Sequence, residues 1–447
     1  MIVRFMYVVV FCFLLFQLFA WWLALVRDAH CMGSSPQPVR HSSKERRLEA
    51  LTLSLSKGGG PEQQAHVLIV SMMDANGGGE FYALSLYRTL LQQNPNVRII
   101  VAKDSFLEKK LTELGLPFFS CNAHRVHTIR LLFTYVFKKT LNQVYKKFPC
   151  TIIHCNNRFE LSAARALADA HNGHVVFTRH VPDIIKEKYL FYPDAIIGVS
   201  PFISDYIRQE LKKIRRENVL VQTIPPLFDT TRFEIFLREH PTVATREERN
   251  AFLQKTFGIS IGDEPVMAKI ANMPLDAEHK NHALLFRAMA KVIHEKKKPV
   301  HVLMAGDGPR RAILEALASE LNIRQYTHFL GYTPFVPEIL HYADFMVLTS
   351  NKEACATVYF EAGYLRKACV GAKKTGAESV IVHEKTGLLY DNGNADAVAD
   401  AIEYLIDNPE KAKTMGLAAH QHIVDNFSPE VLGNKIQALY KRVGDLP

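Results

Sequence analysis

Cysteine is scarce in this chain, with seven residues in 447, an odd number, and one of them, Cys12, sits inside an apolar run. No C-x-x-C pair occurs, so neither a structural zinc site nor a disulfide framework is encoded. Internal repeats of 20 to 50 residues are missing as well, which excludes a solenoid. Acidic residues are outnumbered, 45 Asp and Glu against 54 Lys and Arg, for a formal charge of +9. A hydrophobic content of 48% in a chain of this length provides for two ordinary globular domains and excludes a disordered protein.

Long hydrophobic runs are also rare, and the one at the N-terminus stands out. After MIVR, the stretch FMYVVVFCFLLFQLFAWWLALV carries no charge, and Gln17 is its one clearly polar side chain. As a helix it is long enough to cross about 30 Å of hydrocarbon. Trp21 and Trp22 suit the interface at its end. It is longer than the core of a cleaved signal peptide and is followed by no small-x-small cleavage site. The span is therefore expected to be an uncleaved anchor over residues 1–27. Arg4 stands nearly alone before it, whereas Arg27, Arg40, Lys44, Arg46 and Arg47 follow, which places the remainder of the chain on the cytoplasmic side of a single-pass membrane protein. The single Asn-x-Ser match, at Asn426, is a short motif that arises by chance. Residues 28–64, rich in Ser, Pro, Gly and basic side chains, read as a linker with one short helix at SKERRLEALTLSL.

Beyond the linker the pattern alternates between apolar strands and amphipathic helices. HVLIV, VRIIVAK, TIIHCNN, HVVFTRH and AIIGVS are strand candidates, with ELSAARALADAH and SPFISDYIRQELKKIRRE among the helices between them. The rhythm restarts after PPLFDTTRF with EPVMAKIANM, PVHVLMAGDG, THFLGY and ADFMVLTS. This predicts an α/β protein with two Rossmann-like doubly wound domains, one over 65–228 and one over 229–430, followed by a C-terminal segment at 431–447. Open sheets of this kind bind ligands beyond the carboxyl ends of their strands.

Several motifs lie at such strand ends. The NGGGE loop, Asn76 to Glu80, joins a strand to a helix and suits close approach to a phosphate, or is a plain tight turn. A G-x-G-x-x-G fingerprint would need glycine at position 82, which is Tyr82. GDGPRR, from Gly306, lacks the Gly-Lys-Ser/Thr of a P-loop and reads as a turn with Pro309 at a helix start. Lys280 precedes an amphipathic helix, where it is either an exposed lysine or a cation for a diphosphate leaving group. Two carboxylates, Glu353 and Glu361, follow ADFMVLTS eight positions apart. Thr357 is placed to cap a helix with Glu361 in its first turn, where the dipole favours a negative charge. The alternative is that the two carboxylates receive sugar hydroxyls on either side of a helix N-terminus that meets phosphate.

The order strand, Glu353, seven residues, Glu361-Ala-Gly, then KKTGAESVIVHEKTGLLY resembles the signature segment of the retaining family 4 glycosyltransferases of GT-B fold. NGGGE, PPLFDTTRF, Lys280, AGDGP, FLGY and YADFMVLTS stand around it in matching order, over roughly residues 66 to 440. The resemblance implies two facing Rossmann-like domains, with the C-terminal helix, from about Pro429, crossing back onto the first domain. It also implies transfer of a sugar, with retention, from a nucleotide-diphosphate sugar to a hydroxyl of a glycan or lipid-linked acceptor, with neither metal nor cofactor and through a front-face route assisted by the donor phosphate. Glu361 is then expected on the ribose, Glu353 on the donor sugar, and Lys280 on the departing phosphate with Gly77, Gly78 and Gly79. Main-chain groups around Cys355, Ala356 and Thr357 would meet the sugar or diphosphate, with Gly331 and Tyr332 near the base. His180, chosen over His154, is expected near the reacting sugar.

Two positions depart from the family pattern: Asn272 stands where an arginine is common, and Glu353-Ala354-Cys355-Ala356 replaces Glu-Gly-Phe-Gly. An epimerase on the same fold, or a catalytically silent membrane-tethered binder of sugar nucleotides, are the alternatives. Nucleic acid is not an expected partner. The basic stretch HTIRLLFTYVFKKTLNQVYKKF, with the anchor, points toward anionic lipid and an acceptor of glycolipid or lipopolysaccharide type, or else is a helix packed on its own sheet with a solvated basic edge.

Overall fold

A computed structural model describes residues 64–446 apart from 74–77, 123–129, 182–185, 242–243 and 276–277. The predicted anchor, the linker up to residue 63 and Gly77 lie outside the described residues. No helix among the described residues is long and apolar enough to cross a membrane.

Among the described residues, the first sheet has seven strands, β1 (Val67–Ser71), β2 (Val97–Ala102), β3 (Phe119–Cys121), β4 (Ile152–Cys155), β5 (His174–Arg179), β6 (Ala195–Gly198) and β7 (Leu220–Thr223). They lie in the order β3-β2-β1-β4-β5-β6-β7, every pair parallel. The second sheet has six, β8 (Val266–Ile270), β9 (His301–Ala305), β10 (Thr327–Gly331), β11 (Phe345–Val347), β12 (Ala368–Ala372) and β13 (Gly387–Tyr390), in the order β10-β9-β8-β11-β12-β13. In both sheets the strand order reverses at the centre, so β1 beside β4 and β8 beside β11 form switch points. Crevices open beyond the strand ends at such points.

Strand burial explains the sequence pattern. β1 is buried at all five positions, as is β9, because helices cover both faces of a parallel sheet and no polar face is needed. The covering helices carry their own stops: Ser200 caps Pro201–Lys213, and Thr245 with Glu248 forms a capping box on Arg246–Phe257, which ends at Gly258 in the left-handed region with φ 68°.

The helix expected from 127 onward runs over Arg130–Lys147. Phe133, Phe137, Leu141 and Val144 are buried, while Lys138, Lys139, Lys146 and Lys147 face solvent. The aromatic and aliphatic side is therefore committed to the protein's own core, Tyr135 being the exposed aromatic of this helix. What remains outward is a basic edge.

The chain returns to its starting half at the end. The helix Pro429–Gly444 lies against Gly78–Gln93, where Gly433 approaches so closely that a Cβ would stand 2.7 Å from Thr89 and Gln93 side-chain atoms. Gln93 also donates to the Glu430 carbonyl at 3.4 Å.

Candidate functional site

The carboxyl end of β8 leads into the short helical turn Glu278–Lys280. Asn281, next in line, adopts φ 43°, a left-handed conformation that asparagine tolerates better than most residues. Lys280 Nζ there lies 2.6 Å from Glu353 Oε2, in an ion pair whose side chains are 25% and 14% exposed. Two residues singled out separately in the sequence, 73 positions apart, are thus brought together at the β8/β11 switch point.

Beneath this pair is a residue that the sequence reading missed. Lys269, within β8, is 1% exposed, and its ammonium donates to Thr349 Oγ1 at 2.8 Å and to the Lys280 carbonyl at 3.3 Å. Thr349 in turn donates to the Asn281 carbonyl at 2.7 Å. Burial, and then the nearby charge of Lys280, pull the Lys269 ammonium down to about 7. A lone lysine inside the apolar run VMAKI was the available signal, since an unpaired charge is not buried at random. Asn272, by contrast, is exposed in the loop after β8.

The loop carrying Glu353 is fixed by close packing. Gly376 donates its N–H to the Glu353 carbonyl at 2.8 Å, and a Cβ on Gly376 would stand 1.9 Å from the Ala354 carbonyl oxygen. Cys355 is half-buried, its thiol pushed up by burial. The following helix is Thr357–Tyr364. Ala356, not Thr357, occupies the N-cap, with no side-chain cap bond, and Glu361 falls beyond the first turn. This corrects the expected capping role: the first-turn dipole does not account for Glu361. Its side chain is 14% exposed and pairs with Arg232 at 3.1 Å, from the segment joining the two halves. Burial raises the Glu361 carboxyl, and Arg232 opposes that shift. Phe228 of the same junction stacks on Phe360, with ring centroids 5.6 Å apart.

GDGP is a turn, as read, but its glycines serve contact rather than phosphate. A Cβ on Gly306 or Gly308 would meet the Ala271 or Met273 carbonyl oxygen at 2.2 and 2.4 Å. Pro309 does not open the helix, which begins at Arg311. Gly331, with φ 72°, ends β10 and passes the chain to the exposed Tyr332.

In the first half, the helix Gly78–Gln93 already includes Gly78 and Gly79 in its first turn. His180, at the end of β5, lies with Nε2 2.6 Å from Asn156 Oδ1, and Asn156 Nδ2 donates to the Gly79 carbonyl at 3.0 Å. The Tyr82 ring meets His180 edge-on at 4.5 Å. His154 is fully buried, with Nδ1 2.5 Å from Tyr440 Oη and Nε2 2.7 Å from Thr178 Oγ1, so it is a core histidine. Burial drives both rings down to about 3, which keeps them neutral. Glu160, also buried, accepts from the N–H groups of Met72, Asn156 and Asn157 and ties β1 to the loop after β4.

No group of three or more His, Cys, Asp or Glu among the described residues is placed to hold a metal. Beyond strand carboxyl ends lie the Lys280–Glu353 ion pair in the second half and the neutral His180 in the first, with Glu361 in the helix after Glu353. Such groups suit polyhydroxylated and phosphorylated ligands.

The comparisons with known proteins agree with that layout. The family model described as Glycosyl transferases group 1 matches residues 263–422, and that described as Glycosyltransferase Family 4 matches 76–232. An N-acetyl-alpha-D-glucosaminyl L-malate synthase from Bacillus anthracis is 30% identical over 188 residues, 42% of this chain and 48% of that enzyme. A GDP-mannose-dependent alpha-(1-6)-phosphatidylinositol monomannoside mannosyltransferase from Mycolicibacterium smegmatis is 23% identical over 62% of this chain and 70% of its own length. The chain thus spans about half to 70% of these two relatives. The crystal structure of Anabaena HepE in complex with UDP and glucose superposes with a TM-score of 0.66 at 16% identity, covering 85% of this chain and all of that one. With the two family models matching residues 76–232 and 263–422, together more than half of the chain, and the doubly wound sheets arranged as described, the protein belongs to the family 4 glycosyltransferases of GT-B fold.

Proposed function

We propose that the protein transfers a sugar from a nucleotide-diphosphate sugar to a hydroxyl of a glycan or lipid-linked acceptor, with retention of anomeric configuration and without a metal ion. The observation that carries this reading is the Lys280–Glu353 pair at 2.6 Å, on the loop that leads into the helix carrying Glu361. A cation paired with one carboxylate at a switch point, with a second carboxylate in the helix that follows, suits a ligand that is anionic at its diphosphate and rich in hydroxyls at both ends. Glu361 takes the ribose, Glu353 the sugar, and Lys280 the diphosphate, with Asn272, Gly331, Tyr332 and the backbone of Cys355, Ala356 and Thr357 around them. Gly78, Gly79 and His180 close the site from the first half.

When donor binds, the phosphate competes with Glu353 for Lys280 and frees the carboxylate to accept a sugar hydroxyl. As the glycosidic bond to the phosphate breaks, charge develops on the leaving oxygen, and Lys280 with the helix N-terminus at Thr357 stabilises it. The departing phosphate oxygen accepts the acceptor's hydroxyl proton on the same face of the sugar, which gives retention without an enzyme nucleophile. His180, neutral, orients the sugar. An uncleaved anchor at residues 1–27, with the enzyme on the cytoplasmic side, would hold it beside lipid-linked acceptors. Similarity to a mannosyltransferase acting on a phosphatidylinositol monomannoside supports that acceptor class.

Full-length protein incubated with a panel of UDP and GDP sugars, with membrane extract and with EDTA, should release nucleoside diphosphate and form a product of unchanged anomeric configuration by NMR. Absence of turnover and of nucleotide binding with every donor would overturn the reading. Conversion of donor to its epimer would point to an epimerase, and binding without turnover to a silent binder.

A further inference from the structure

Asn156 occupies a position that the proposed reaction does not require but that its geometry explains. It follows β4, is 3% exposed, and its amide is held at both ends. The Gly79 carbonyl at 3.0 Å can only accept, so the group facing it must be the NH₂, which also reaches Ser71 Oγ at 3.3 Å. The amide oxygen is thereby turned toward His180, 2.6 Å from Nε2. An oxygen that can only accept demands a proton on that nitrogen. In a neutral imidazole the other nitrogen is then bare.

We propose that Asn156 is a positioning residue that locks His180 in the tautomer protonated on Nε2, so that Nδ1 is presented as a hydrogen-bond acceptor for a hydroxyl of the transferred sugar. The assignment of the sugar rests on the function proposed above; the tautomer does not. A sugar hydroxyl donating to Nδ1 is recognised by direction, whereas a phosphate oxygen, which can only accept, is refused. The site thus separates its two halves by hydrogen-bond polarity, with acceptors facing the sugar and donors facing the diphosphate.

Several further contacts hold this arrangement rigid. The Tyr82 ring packs edge-on to His180, and Tyr82 Oη lies 3.2 Å from Thr178 Oγ1. Thr178 is also bonded to His154, which is bonded to Tyr440 on the C-terminal helix. The returning helix therefore braces the strand end that carries His180. Burial, and then the Arg179 charge, draw the His180 ring down to about 3, which keeps it neutral at physiological pH.

The test is long-range ¹H–¹⁵N correlation of the full-length protein labelled at histidine, with the His180 signals assigned by their loss in His180→Gln. One protonated Nε2 and one bare Nδ1 are expected in the protein without ligand. In Asn156→Leu the two tautomers should mix, and kcat should fall about tenfold or more while KM for donor moves less. In Asn156→Asp, which keeps an acceptor on Nε2 and adds negative charge, the tautomer should persist and the acid limb of kcat should move to higher pH. A proton on Nδ1 in the unmodified protein, or an unchanged tautomer in Asn156→Leu, would overturn the lock whether or not the protein turns over donor. The expected tautomer with no nucleotide-sugar binding would overturn the sugar-facing role and the proposed function together, leaving the lock standing.

Discussion

Arg232 and Glu361 form an ion pair at 3.1 Å that ties the segment joining the two halves to the helix after Glu353. The carboxylate is 14% exposed and the guanidinium 47%, so the pair is neither a freely solvated surface contact nor a dry interior one. Arg232 also lies over the Phe233 ring, 4.5 Å from its centroid, which gives it a second resting contact when Glu361 is engaged. In the proposed donor complex a ribose diol donating to the Glu361 carboxylate would replace part of what Arg232 supplies. Hydrogen bonds to a charged group contribute about 1.5–3 kcal/mol, so Glu361→Ala should weaken donor binding about tenfold or more. Titration calorimetry reads this directly, and an unchanged dissociation constant would make Glu361 a purely structural partner of Arg232. Arg232→Ala leaves a buried carboxylate without its cation and should cost about 1–2 kcal/mol of stability, read as a loss in the unfolding free energy.

At the scale of elements, the close contact between Gly376 and Ala354 is the joint that sets Glu353. No side chain fits there, because a Cβ would lie 1.9 Å from a carbonyl oxygen. Gly376→Ala must displace the backbone of residues 354 and 355, an overpacking that costs about 1–3 kcal/mol. Since Glu353 is held by its own carbonyl bond to Gly376, the displacement should lower kcat by about a hundredfold, in keeping with the cost of an ångström-scale misplacement. Steady-state kinetics beside thermal unfolding would show it; loss of stability with kcat intact would mean that Glu353 is placed by Lys280 alone.

This joint also marks what was legible in advance. Nine strands were readable because fully buried parallel strands are short runs of bulky apolar residues. β12, ACVGA, was missed since small side chains carry little of that signal, and they are small because Gly371 packs against Tyr359, Ala377 and Ile381. β3, with three residues and one of them exposed, has no pattern to read. Glu353, Lys280 and His180 stood out in the sequence because polar residues at strand ends are conspicuous, and Glu361 stood out by its spacing from Glu353. Lys269 and Asn156 were not, because one hides inside a strand and the other acts through a partner 24 residues away.

For the molecule as a whole, the buried histidines dictate a response to acid. Burial is the leading cause that holds His154 and His180 down to about 3, His282 to about 2, and His328 and His341 to about 4. In the unfolded chain each titrates near about 6.5. Between these values the unfolded state binds protons that the folded state refuses, so folding stability falls as pH drops from about 6.5 toward 4. Glu160 works in the opposite direction: burial raises its carboxyl to about 8, so above about 4.5 the folded state keeps a proton that the unfolded chain has lost. That offsets roughly one histidine of the five, and the net sign stays with the histidines. Each unbalanced proton is worth about 1.4 kcal/mol per pH unit. The melting temperature, followed by circular dichroism from pH 8 to pH 5 at constant ionic strength, should therefore fall by several degrees per pH unit below about 6.5. His328→Gln, which removes a histidine whose Nε2 lies 2.9 Å from His301 Nδ1, should flatten that slope. A melting temperature that holds steady or rises on acidification would show that these rings take up protons in the folded state.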